Sequence, residues 1–86
     1  MTFLVPSRVL LDDAAQILAR GVEVIAAGER EVDLAAVESS DSSLIACVLA
    51  WRRAAREAGG TLSIVNPPAQ VRGLATLYGV EQIALD

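Results

Sequence analysis

Apolar residues recur in this chain as short continuous runs and, between them, at helical spacing. Phe3-Leu4-Val5, ended by Pro6, predicts a first strand. Asp12 or Asp13 then caps a helix whose apolar positions are Ala14, Ile17, Leu18, Val22 and Ile25. Gly21 weakens that helix by about 1 kcal/mol relative to alanine, and Gly28 stops it. Glu31-Val32-Asp33-Leu34 reads as a buried strand. A polar loop over residues 38–43 leads into a second helix, from Asp41 or Ser42 to about Ala58. Leu44, Cys47, Val48, Trp51, Ala55 and Ala58 line one of its faces, and Gly59-Gly60 ends it. The run from Thr61 to Val65 predicts a third strand. Asn66 caps a last helix with Pro67 and Pro68 in its first turn, an inward stripe of Val71, Leu74, Ala75 and Tyr78, and Gly79 at its end. Residues 80–85 add a short edge strand.

Strands alternating with helices over short connections predict an α/β fold, a small open, mostly parallel sheet with crossover helices. With 86 residues the chain is a single domain, 1–86. Functional groups in such sheets gather where strands end and the next helices begin. That edge holds Asp33, Glu38, Asp41, Ser42 and Ser43 from one connection and Asn66, Pro67 and Pro68 from the next.

Composition narrows the chemistry. Hydrophobic residues make up 53% and aromatics only 3%, so Ala, Val, Leu and Ile must build the core. The net charge is −4 and all seven basic residues are Arg. An acidic domain without a basic stripe or stacking aromatics is a poor nucleic-acid binder. The absence of His and Lys removes Ser-His and Cys-His nucleophile systems, Schiff-base chemistry and the usual zinc ligands. No metal, cofactor or catalytic residue is expected. The single cysteine, Cys47, falls on an apolar helix face and reads as inert core. The N-terminal residues do not have the form of a secretory signal. The mean hydropathy of +0.47 is high, yet the longest uncharged apolar segment, residues 42–51, is about half the length a spanning helix needs. The apolarity points instead to a sheet covered on both faces, or to a face that sits on a partner.

Two features could carry function. Asp33 and Asp41 are carboxylates near one sheet edge, but a strand-end residue and an N-cap account for them without catalysis. Ser42 begins a helix, where unpaired backbone N–H groups favour negative charge and would stabilise a phosphoserine; most serines at such a position only cap, and capping is the reading that spacing alone favours. The row Ile45, Leu49, Arg52 and Arg56 starts beside Ser42 and reads either as a solvated flank or as a protein-binding patch of aliphatics next to arginine.

The order Val32-Asp33-Leu34, a short loop, Asp41-Ser42-Ser43 and an apolar helix resembles the STAS domain of anti-sigma-factor antagonists and sulfate transporters. The run Trp51-Arg52-Arg53-Ala54-Ala55-Arg56, then residues 62–66, Pro68 and Leu74-Ala75-Thr76-Leu77-Tyr78-Gly79-Val80, is similar to one branch of it. That branch is the B subunit of the bacterial lipid-asymmetry-maintenance (Mla) phospholipid ABC transporter. The resemblance implies a non-enzymatic cytoplasmic accessory subunit that binds the transporter's ATPase and is held at the inner membrane only through that partner. It carries the family's Asp-Ser/Thr motif onto Asp41 and Ser42, with Asp33 and Ser43 flanking it. Ser42, Ile45, Leu49, Arg52 and Arg53 are then the expected partner surface, and whether the chain dimerises is open. The alternative within the family is an anti-sigma-factor antagonist switched by phosphorylation of Ser42. Leu44 stands where the family usually has Gly and is expected to add bulk beside Ser42, and the short N-terminal part implies a missing or merged first strand.

Overall fold

The computed structural model describes residues 2–80 and 84–85. Its elements in chain order are β1 (Phe3–Leu4), β2 (Arg8–Val9), α1 (Leu11–Ala26), β3 (Glu31–Asp33), β4 (Ser39–Ser40), α2 (Ser42–Glu57), β5 (Ser63–Val65) and α3 (Ala69–Leu77). The strands form two parallel groups, a sheet ordered β1-β3-β5 and a separate pair β2-β4. The α/β architecture with open parallel strands and crossover helices is as the sequence predicts. Strand β2 and the pairing of Ser39-Ser40 were not expected. The segment read as a polar loop is held to the N-terminal part by Glu38 and Ser39 N–H groups that donate to the Ser7 carbonyl (2.8 and 3.0 Å).

In the three-stranded sheet Phe3 pairs with Val32, and Val32 with Ile64. These three share one face, since side chains alternate along a strand. Phe3 meets the Trp51 indole edge-on, with ring centroids 5.4 Å apart at 87°. Two of the chain's three aromatics thus join the sheet to α2. On the opposite face Leu4 is 58% exposed and Ser63 is exposed. Helical cover therefore lies on the Phe3 side, and the expectation of a sheet buried on both faces does not hold.

Around Trp51 the core gathers Val5, Val9, Ile25, Val32, Leu34, Leu44, Val48 and Val71, all fully buried. Helices α1 and α2 lie parallel. The Trp51 Nε1 donates to the Leu18 carbonyl (3.0 Å) and the Cys47 thiol to that of Ala14 (3.7 Å). Gly21 lets this approach happen. A Cβ there would fall on the indole ring, 2.9 Å from Cδ1 and closer still to Nε1 and Cε2. The residue that looked like a flaw in α1 is the seat of the tryptophan.

Two predicted helix starts need correction, those of α1 and α3. The N-cap of α1 is Leu10, and Asp12 and Asp13 lie in its first turn; the Asp13 carboxylate accepts from the Leu10 N–H (3.2 Å). Helix α3 starts after Pro68. Asn66 does not cap it but turns the chain with φ +55°, and its Nδ2 donates to Asp33 Oδ1 (3.1 Å). Asparagine tolerates this left-handed backbone better than most residues. Tyr78, placed on the inward stripe of α3, is 55% exposed, while Val71 and Ala75 are buried. The edge strand expected over 80–85 falls partly outside the described residues; within it Ala84 and Leu85 are helical and buried. Among the described residues no helix is long and apolar enough to cross a membrane.

Candidate functional site

The pairing of β2 with β4 builds the site. Val9 stands opposite Ser40 in a parallel register, and beyond it the Asp41 N–H donates to the Val9 carbonyl and the Leu11 N–H to the Asp41 carboxylate. Each strand feeds directly into a helix, and the N-termini of α1 and α2 emerge side by side. Leu10 and Asp41 are equivalent N-caps, but Leu10 has no acceptor to offer. Asp41 serves both helices: Oδ1 accepts from the Ser43 N–H (2.9 Å) and from the Ser43 hydroxyl, and Oδ2 accepts from the Leu11 N–H (3.0 Å).

These bonds favour the ionised carboxylate. The Ser43 hydroxyl, then the Ser43 N–H, hold the Asp41 carboxyl below its usual range, with a smaller contribution from the Leu11 N–H. A lowered folded value means that the stabilisation is fully present above the ordinary aspartate pKa of about 3.9 and is lost as pH falls through the lowered value. Asp41→Ala should therefore be less stable than the parent near neutral pH. The gap should close progressively below about pH 4. Urea melts of both proteins across that range check this; a gap that widens in acid would contradict the capping role.

Asp33, the other carboxylate, sits at the end of β3, where Oδ1 accepts from the Ala35 N–H (2.8 Å) and from Asn66. Among the described residues no hydrogen bond joins Asp33 to Asp41. A general acid at neutral pH needs a raised pKa, and the Asp41 shift runs the other way. Burial pushes the Cys47 thiol up, with the Asp41 charge adding to it; this suits a packing residue and not a nucleophile. No group of three His, Cys, Asp or Glu among the described residues is placed to hold a metal.

The expected partner surface divides. Ser42 is exposed in the first turn of α2, Arg53 is exposed and Leu49 is half-buried. With exposed Ala46 they form one outward row at i, i+4, i+7 and i+11. Ile45 does not belong to it: it is 4% exposed and part of the core. Arg52, seven residues on in the Ile45 row, is half-buried and its guanidinium donates to the carbonyls of Ala84 (2.6 Å) and Leu62 (2.9 Å). On that flank Arg52 is tied to Leu62, just before β5, and to the 84–85 segment, which takes both residues out of the exposed row. Leu44 is fully buried, so it adds no bulk at the surface beside Ser42.

One residue of the site was missed. Leu11 is 77% exposed, the highest value among the large apolar side chains of the described residues, and its N–H donates to Asp41. Its spacing to Ala14 and Leu18 mimics a core position, so helical periodicity alone hides it. The hint was the pair Leu10-Leu11 directly before Asp12-Asp13, since only one of two adjacent residues at a helix start can face inward.

A family model described as Mlab, STAS domain, matches residues 5–85, nearly the whole chain. No curated protein matches the chain.

Proposed function

We infer that this chain, which belongs to the STAS domain family, is a non-enzymatic docking subunit whose partner is the ATPase of a phospholipid-transporting ABC complex. In this reading it sits on the cytoplasmic side, reaches the inner membrane only through that ATPase and supports outer-membrane lipid asymmetry. The observation that carries the docking role is the outward row of exposed Ser42, Ala46 and Arg53 with half-buried Leu49, beside exposed Leu11. An unpaired leucine, small residues that allow close approach and a flanking arginine are features of protein interfaces. The identity of the partner rests on the residues from Trp51 to Val80 that resemble the transporter branch.

The second reading, an anti-sigma-factor antagonist switched at Ser42, is favoured by the exposure of Ser42 at a helix start. It meets an opposing charge effect. The Asp41 carboxylate already occupies the two helix N-termini and is held ionised, so a phosphate on the next residue would face a like charge. Co-expression with the ABC ATPase tests the choice. The parent and Ser42→Ala should both co-purify with the ATPase, and the intact mass of protein from its native source should carry no phosphate. A phosphorylated Ser42, with partner binding that changes on Ser42→Ala, would move the assignment to the switch.

A further inference from the structure

The outer seam between α1 and α2 is apolar over three helical turns. The carbonyls of Ala14 and Leu18 on α1 receive Cys47 and Trp51 of α2, which sets those two faces together. Leu11, Ala15, Leu18 and Val22 follow one another at i, i+4, i+7 and i+11 along the same side of α1. Leu11 is 77% exposed and Val22 37%; Ala15 is exposed and Leu18 half-buried. On α2 the row through Cys47 continues with Ala50 and Ala54, both half-buried. No charged side chain stands in either row. From Leu11 to Val22 the seam runs about 16 Å. Charge is concentrated at one end of it. Where the two helices begin, Asp12, Asp13 and Asp41 are answered by one cation, Arg8, which lies 3.7 Å from Asp13. Asp12 is exposed, and Asp41 is bonded as a carboxylate across both helix starts. The first cations within the helices themselves are Arg20 and Arg52, more than two turns further on.

We propose that this seam seats an amphipathic helix of the ATPase, antiparallel to α1 and α2 and with basic side chains in its last turn. The proposal rests on the docking role inferred above. A helix laid in a groove between two others comes closest over small residues, here Ala15, Ala50 and Ala54, and packs its own apolar side chains on Leu11 and Val22. Running antiparallel opposes its dipole to those of the two parallel helices, and a last turn is where a helix carries Lys and Arg most favourably. That basic end then lies over Asp12 and Asp41, whose charge it complements. An anionic lipid surface would meet the same carboxylates and be repelled.

ATPase binding measured over a range of chloride concentrations tests it, with melting curves of every variant recorded alongside. Ala15→Arg and Val22→Glu should each weaken binding at least about tenfold. Gln16→Arg adds a charge on α1 outside the seam and should bind as the parent does. The parent's affinity should fall as chloride rises, and Asp12→Asn should bind about fivefold more weakly at low salt and flatten that dependence. Folded Ala15→Arg that binds as the parent does, or a parent affinity insensitive to chloride, would overturn the proposal. Loss of binding in Leu11→Arg and Ser42→Arg would then still uphold the docking role. A parent that leaves the ATPase unbound overturns both. A parent that sediments as a dimer, and as a monomer once Ala15 is changed to Arg, would give the seam to a second copy of this chain and overturn the proposal as well.

Discussion

Gly21→Ala will lower the stability of the domain by about 2 kcal/mol, although the same change elsewhere in a helix raises it. Alanine gains up to about 1 kcal/mol of helix propensity over glycine. At position 21 the new methyl falls on the Trp51 indole, which is fully buried and fixed on the other side by Phe3. Relieving the clash means moving α1 off α2 or turning the indole. Overpacking of this kind costs about 1–3 kcal/mol. Losing the Trp51 bond to the Leu18 carbonyl leaves a buried N–H unpaired, a further cost of about 1–3 kcal/mol. For a domain of this size the net loss is a fall in Tm of roughly 8–16 °C. Gly73 provides the contrast. It lies within α3 with nothing within 4 Å of a built Cβ, so Gly73→Ala should raise Tm by a few degrees. Thermal melts of the two variants check the pair. Equal effects at both sites would mean that the two helices do not pack through Gly21.

The second large effect concerns the partner and leaves the fold alone. Leu11→Arg and Ser42→Arg each place a charged side chain on the exposed face where α1 and α2 begin. Leu11 is largely in solvent and Ser42 is exposed, so neither change opens a cavity. A cation in a first helical turn costs about 0.3–1 kcal/mol, and the ionised Asp41 beside both positions offsets part of it. Melting curves should therefore stay close to the parent. At an interface, a charge buried without a partner at a central apolar position costs about 2 kcal/mol or more. Affinity for the ATPase should fall at least about thirtyfold. By contrast Arg52, tied to two backbone carbonyls, should affect stability first when replaced.

Much of this was legible in the sequence where a local cause decides the structure. The boundaries of α2 followed from Asp41 as cap and Gly59 as stop, and the structure has both: Asp41 bonds the Ser43 N–H and Gly59 turns with φ +86°. Cys47, Trp51 and Ala55 were read as core from their spacing and are buried. The rest depended on contacts between distant segments. Strands β2 and β4 have two residues each, too few for a period, and the serines of β4 look like loop. Ile45 borders the apolar face of α2, and which flank of a helix is covered depends on where later chain returns; here Leu62 and the 84–85 segment return along the Arg52 flank. Asn66 carries the composition of a helix cap, but its amide goes to Asp33, thirty-three residues away in the chain. Leu11 shows the opposite failure, a residue at core spacing whose side chain is left outside by the way β2 enters α1.

The claim that the N-terminal face of α1 and α2 is a docking surface is tested most directly by measuring binding of the ABC ATPase to the parent and to Leu11→Arg, Ser42→Arg and Leu49→Glu. Melting curves of the same samples are recorded alongside. The parent should bind tightly enough to co-purify, and the first two variants should melt as the parent does yet leave the ATPase unbound. Leu49→Glu should lose binding as well, with a somewhat lower Tm because Leu49 also packs against the core. ATPase binding that persists in folded Leu11→Arg and Ser42→Arg would put the contact surface elsewhere.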